Sequence, residues 1–280
     1  MQRSQTVCAC TIAGSDPTGG AGIQADLSTF AAMGVWGLSV ITALTAQTPE
    51  RVDSTWVQPA PIVATQLKVL LEEFHIGAFK TGMLGDGSVI DTITDLLPEG
   101  VPLVVDPVLV SSSGHRLLAE EAIELLKERL LPRATVITPN LPETEVLSGL
   151  SPLCSDDEVI RAGKVLLDLG AAAVIIKGGH RAGARATDLL ITASTVIPLS
   201  SFRRPYPVHG TGCCFSAALT ALLARGYPLP TAAQEAKCLI SRAVSTEPVG
   251  RSGMRMVDPL QISSFDRIPT DLDLLNMKKA

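Results

Sequence analysis

Short runs of apolar, β-branched residues alternate with stretches whose apolar positions recur every three or four residues, along nearly the whole chain. Near-continuous hydrophobicity predicts strands buried on both faces at Thr6–Ala13, Leu38–Leu44, Ile76–Thr81, Leu103–Asp106, Thr135–Thr138 and Val174–Lys177. Between them Ile62, Val63, Leu67, Leu70, Leu71 and Phe74 fall at helical spacing, as do Ile123, Leu126 and Leu130, so these helices lay an apolar face on the sheet. Ser155-Asp156-Asp157-Glu158 has the layout of a capping box and opens a helix that turns Val159, Val165, Leu166 and Leu169 inward. Thr187–Ile191 and Thr195–Leu199 read as an antiparallel pair at a sheet edge, and a link carrying Pro205 and Pro207 leads to a helix starting at Gly212. The alternation predicts an α/β fold with a mainly parallel sheet covered on both faces. No repeat or Gly/Ser linker interrupts it, so residues 1–280 read as one domain with a weakly patterned, mobile tail after about Pro259.

Composition removes several functions. Lys and Arg number 23 against 28 Asp and Glu, a net charge of −5, and aromatics are 4% of the chain, so neither a phosphate-backbone footprint nor a base-stacking surface is present; nucleic acid is not an expected partner. The longest apolar stretches, such as Val35 to Ala46, fall short of the ~20 residues that a membrane crossing needs, so no membrane span is expected. Residues 1–13 lack the layout of a secretory signal, which makes the cytoplasm the expected address. The cysteines at 8, 10, 154, 213, 214 and 238 have neither disulfide-scaffold nor zinc-knuckle spacing and read as reduced thiols; the four histidines are scattered singly, with no metal spacing.

Ligands of open α/β sheets bind beyond the carboxyl ends of the strands, so polar or glycine residues closing an apolar run are the first functional candidates. Gly14-Ser15-Asp16, Thr81-Gly82, Asp106-Pro107, Thr138-Pro139-Asn140 and Lys177-Gly178-Gly179 close five of the predicted strands and are expected to line one rim. Each alone is equally a turn. The glycine-rich loop from Gly14 to Gly22 is not a P-loop, because Gly20 stands where the lysine must be. Nor does it suit a dinucleotide, since no acidic residue closes the next strand. It reads as a mobile cover over a small ligand. In His209-Gly210-Thr211-Gly212-Cys213-Cys214, two glycines allow successive N–H groups to face one hollow at a helix start, which favours an anion and would lower the Cys213 thiol below its usual ~8.5 so that it acts as a base. A glycine turn followed by two small buried residues is the plain alternative. Asp106 and Glu143 are placed to act on magnesium, or else to cap a turn and occupy a first helical turn, and Lys177 either approaches phosphates or snorkels to solvent.

The ordered stretches Thr11–Asp26, Ser39–Gln47, Lys80–Leu84, Val105–Val108, Ile137–Glu143, Ile176–His180 and His209–Cys213 closely resemble the hydroxymethylpyrimidine/phosphomethylpyrimidine kinases of thiamine biosynthesis, in the ribokinase superfamily. The resemblance implies a ribokinase-like three-layer α-β-α sandwich with a mainly parallel central sheet, and a kinase using ATP and Mg2+ on a small pyrimidine alcohol and then on its monophosphate. It implies substrate contacts from Gln47, Met83, Gly14, Asp26 and Val110, an anion hole at Gly210, Thr211, Gly212 and Cys213 with Cys213 as base, ATP contacts from Lys177 and Thr211, magnesium at Asp106 and Glu143, and a homodimer. Many ribokinase-like enzymes carry Asp as the base, so Cys213 points to the pyrimidine-kinase branch or to pyridoxal kinases resembling it, and Gln47 with Met83 favours the former. Several relatives carry Lys after the Asp-Pro-Val segment where this chain has Ser111-Ser112-Ser113-Gly114, which weakens the case for the second phosphorylation. The rivals are a pyridoxine or pyridoxal kinase and a non-catalytic pyrimidine sensor.

Overall fold

Seven residues of β1 (Cys8–Gly14), all buried, form the centre of a sheet that grows outward on both sides. On one side β1 pairs parallel with β2 (Trp36–Gln47), which pairs antiparallel with β3 (Val52–Val57). On the other side β4 (Ile76–Thr81), β5 (Leu103–Val105), β6 (Val136–Ile137) and β7 (Val174–Ile176) follow in parallel, and β8 (Arg185–Ile191) and β9 (Val196–Phe202) close the edge antiparallel. The computed structural model describes residues 6–111, 114, 116–178, 185–204, 206, 208–244, 247–251, 253–259 and 261. The expectations for Ser112, Ser113, Gly179, His180, Pro205, Pro207 and most of the tail after Pro259 lie outside them.

Alternation along each strand divides the core in two. Cys8, Cys10 and Ile12 of β1 join one apolar layer with α2 (Ala60–Glu73), α3 (Gly87–Leu96), α4 (Ala122–Leu125), α5 (Leu141–Ser148) and α6 (Asp156–Asp168). Ala9, Ala78, Val104 and Val136 face the other way, onto α1 (Gly22–Ala32), α7 (Thr211–Ala224) and α8 (Leu229–Arg242). This is the expected three-layer α-β-α sandwich. In α7 every residue from Cys214 to Leu223 is buried, so it is a central helix rather than an amphipathic one.

The edge pair β8/β9 and the Ser155 capping box of α6 appear as predicted. Three details differ. The strand β3 was not foreseen, because none of its six residues is fully buried and alternation is blurred. Ile62 of α2 is 49% exposed, since the inward face of that helix is carried by Val63 and Leu67. Val165 of α6 and Leu169, its C-cap, are half-buried, and Ala162 and Gly163 take the closest positions on the sheet instead. A small parallel pair, β10 (Val208–His209) with β11 (Arg255–Met256), ties the segment before α7 to the C-terminal region.

Candidate active site

The strand ends singled out by sequence converge. Gly14 at the end of β1, Gly82 after β4, Asp106 after β5, Asn140 after β6 and Lys177 after β7 all line one cavity of about 590 Å³. Gly210, Thr211, Gly212 and Cys213, at the start of α7, line the same space. So do Gln47, at the end of β2, and Met83, Val110 and Glu143.

Backbone chemistry explains the α7 end. Gly210 caps the helix at φ 82°, and a Cβ there would lie 1.7 Å from the carbonyl oxygen of Gly20, so only glycine fits. A Cβ on Gly212 would meet the Lys177 Nζ at 3.1 Å, which places that ammonium over the first turn of α7. The leading N–H groups of the helix lie outside its own ladder, as at any helix start. A cation beside free amides is a cradle for phosphate oxygens.

Cys213 corrects one expectation. Withdrawal of its sulfur from water pushes the thiol up to about 11; Lys80 pulls it back, Asp106 and Asp26 push it further, and the Gly22 N–H favours the thiolate only weakly. The helix end does not lower it, because burial and two carboxylates outweigh a partial charge.

Asp106 is 2% exposed and fully engaged. Its Oδ1 accepts from Lys177 Nζ at 2.9 Å and Thr138 Oγ1 at 3.1 Å, and its Oδ2 from Ser216 Oγ at 3.1 Å. Burial works against its charge, yet Lys177 and Lys80 hold the carboxyl below the usual range. Glu143 sits in the first turn of α5, where its side chain accepts from the Asn140 N–H and its own N–H donates to Asn140 Oδ1, both at 2.8 Å. Burial pushes this carboxyl up to about 7, against the pull of Lys177 and with a further push from Asp106. The capping role and the position on the cavity wall therefore coexist. Among the described residues no group of three or more His, Cys, Asp or Glu side chains could hold a metal. Two carboxylates beside a phosphate cradle nonetheless fit magnesium, which keeps several waters and takes one or two carboxylates plus phosphate oxygens.

A Cβ on Gly14 would lie 2.9 Å from Met83 Sδ, so the thioether rests on the glycine and gives the cavity a flat apolar wall. Asp26, expected to touch substrate, is not on the cavity wall. It is fully buried, and its Oδ2 accepts from Lys80 Nζ at 2.8 Å and Thr11 Oγ1 at 2.6 Å. Lys80 does reach the wall, a residue that sequence reasoning quoted but gave no role; its signal was a lysine inside an otherwise apolar strand. The loop from Gly14 to Gly22, expected to be a mobile cover, is tied down. Asp16 accepts from the N–H groups of Thr18 and Ala21, and a Cβ on Gly20 would lie 2.6 Å from His209 Cδ2.

Such a cavity suits the transfer of phosphate to a small alcohol: its wall carries a helix start and lysines to meet charge, and an amide and a thioether to meet a flat ring. Fold and site together define a ribokinase-like small-molecule kinase. The family model described as phosphomethylpyrimidine kinase matches residues 16–258, and the chain belongs to that family. It is 43% identical over 242 residues to a hydroxymethylpyrimidine/phosphomethylpyrimidine kinase of Rhizobium meliloti, covering 86% of this chain and 91% of the relative. Among solved structures it resembles a phosphomethylpyrimidine kinase of Clostridium difficile (TM-score 0.74, 38% identity, 85% of this chain and 99% of the other). It also resembles the pyridoxal kinase of Staphylococcus aureus in complex with AMP-PCP and pyridoxal (TM-score 0.83, 32% identity, 95% and 96%). Among the described residues no helix is long and apolar enough to cross a membrane.

Proposed function

We propose that this protein phosphorylates the hydroxymethyl group of 4-amino-5-hydroxymethyl-2-methylpyrimidine with ATP and Mg2+, and then the monophosphate to the diphosphate, on the route to thiamine. The observation that carries this reading is the joint presence of Gln47, Met83, Lys177 and Cys213 on one cavity. The names of the relatives support it, as does the AMP-PCP complex of the Staphylococcus aureus neighbour.

Magnesium, when bound, neutralises charge on the transferring phosphate; Asp106 and Glu143 would hold it through oxygen and water contacts. The remaining work belongs to the chain. Gln47 offers a carboxamide edge to the aminopyrimidine, and Met83 on Gly14 holds the ring flat, so that the hydroxymethyl group is presented to the start of α7. The amides of 210–213, with Lys177, stabilise negative charge that grows on the migrating group, and Thr211 adds its hydroxyl. Cys213 takes the alcohol proton as its thiolate. The transition state of phosphoryl transfer is loose, so this proton leaves late and a strong base is useful even when scarcely populated. A homodimer belongs to the same reading, supported by the unusual exposure of Trp56 and Leu44, cross-strand partners on β3 and β2 at 56% and 46%.

The test is a mass-spectrometric product assay with Mg-ATP and the free alcohol, run beside pyridoxal. Mono- and diphosphate of the pyrimidine are the expected products. Efficient phosphorylation of pyridoxal alone would replace this reading with the one suggested by the pyridoxal-kinase neighbours. Accumulation of the monophosphate without diphosphate would confine the enzyme to the first step, in line with Ser111 and Gly114 bordering the cavity where several relatives offer a lysine.

A further inference from the structure

One hydroxyl in the first half of α7 has more acceptors than protons. Ser216 is fully buried, and its Oγ lies 3.1 Å from Asp106 Oδ2, 3.1 Å from the Gly212 carbonyl oxygen and 3.0 Å from the Cys213 carbonyl oxygen. A serine donates a single O–H. Both carbonyls belong to the first turn of α7, where the N–H groups four residues further on already serve them. A carboxylate makes the stronger, charge-assisted bond. The proton therefore goes to Asp106, and the bond joins residues 110 positions apart.

That bond closes a ring of contacts. Asp106 Oδ1 accepts from Lys177 Nζ at 2.9 Å, and the same ammonium lies 3.1 Å from where a Cβ on Gly212 would stand. Gly212 in turn carries one of the two carbonyls beside Ser216 Oγ. Carboxylate, lysine and helix turn are thus held together, and Ser216 is the member that ties the carboxylate to the helix. Lys177 and Thr138 both meet Oδ1, so among the described residues Ser216 supplies the one hydrogen bond to Oδ2. The last torsion of an aspartate is soft, and without that bond the carboxylate is free to turn about it. We propose that Ser216 is a positioning residue: its hydroxyl fixes Asp106 Oδ2 against the first turn of α7, so that the carboxylate offered to magnesium and the amides offered to the phosphate keep one spacing. The inference rests on the phosphoryl-transfer reading and deepens it; Gln47 and Met83 take no part in it.

The experiment titrates AMP-PCP by calorimetry into the natural enzyme, Ser216→Ala and Ser216→Thr, with and without Mg2+, beside steady-state kinetics with Mg-ATP and the pyrimidine alcohol. The ratio of the two AMP-PCP affinities reports how well the protein holds the metal, independently of turnover. Mg2+ is expected to tighten AMP-PCP binding to the natural enzyme, and in Ser216→Ala that gain is expected to shrink by ~10-fold while the metal-free affinity stays, because Lys177 and the amides remain. The same variant should lose roughly 10–100-fold in kcat, with the KM for the pyrimidine almost unmoved. Ser216→Thr keeps the hydroxyl and is expected to recover most of both losses. A purely structural role predicts the opposite order, since Thr forces a methyl group into a packed interior and Ala removes only one atom. Thermal melting shows which variants are folded, and if Thr is not tolerated Ser216→Ala decides alone. An unchanged magnesium gain in folded Ser216→Ala would overturn the proposal, as would a folded Ser216→Thr that behaves like Ser216→Ala. Absence of any phosphorylated product from the natural enzyme with Mg-ATP would instead overturn the phosphoryl-transfer reading itself, on which the titration does not depend.

Discussion

The sulfur of Cys213 stands where a transferred proton must go, yet its surroundings keep it protonated at neutral pH. With the thiol pushed up to about 11 by burial, each unit of rising pH below that value multiplies the thiolate about tenfold. The sign for activity follows: kcat/KM is expected to climb from about pH 7 to 9 with a slope near one, where a thiol lowered by the helix end would give a plateau. Cys213→Ala should cut kcat by roughly 10²–10⁴ while KM for the pyrimidine changes little, because general-base assistance is lost and the Gln47 end is untouched. A steady-state pH profile of both proteins checks this; equal profiles would remove Cys213 from proton transfer. The cysteine was legible in the sequence from its place after two glycines at a helix start, but its proton affinity was not. That property depends on Asp26, Lys80 and Asp106, which the fold brings in from α1, β4 and the end of β5.

At the scale of elements, strand ends were readable because each apolar run stops at a polar or glycine residue, and five of those stops do surround the cavity. Contacts between distant loops were not readable: nothing local links Gly20 to His209, or the Asp26 carboxylate to Lys80, 54 positions later. A third such contact controls the Lys177 turn. Asp188 of β8 accepts from the Gly178 N–H at 2.9 Å, and its other oxygen accepts from Lys237 of α8 at 2.7 Å. A Cβ on Gly178 would lie 1.8 Å from the Thr187 carbonyl oxygen, so this turn is pressed against β8 and relies on Asp188 for its shape. Lys237→Met leaves Asp188 buried and uncompensated. The expected outcome is a KM for ATP raised roughly tenfold, about what a lost hydrogen bond to a charged group yields, with the KM for the pyrimidine almost unmoved. Steady-state kinetics with each substrate varied in turn measures the split, and a parallel rise of both constants would point to general loosening instead.

Across the whole molecule the sheet is sealed by two apolar layers, and the Asp26–Lys80 pair is an ionic contact buried within this packing. Thr11 of β1, Asp26 of α1 and Lys80 of β4 meet at one carboxylate oxygen, which pins a helix to the two central strands next to the cavity. Burial disfavours the ammonium, but the attraction of Asp26 outweighs it and keeps Lys80 charged above its ordinary value. Such a pair need not stabilise more than an apolar replacement would, but removing one partner strands the other in a dry interior. Lys80→Met is therefore expected to lose about 3–5 kcal/mol, seen as a melting temperature lower by roughly 10 °C. The double variant Lys80→Met/Asp26→Leu, which removes the stranded charge as well, should regain much of that loss, because Met and Leu extend the apolar layers that already enclose the site. Thermal and urea denaturation of the single and double variants measure the coupling directly. If the double variant is as unstable as the sum of its parts, the contribution of the pair is packing rather than charge, and the pinning of α1 to the sheet must be assigned to the apolar contacts of Ala25 and Phe30 instead.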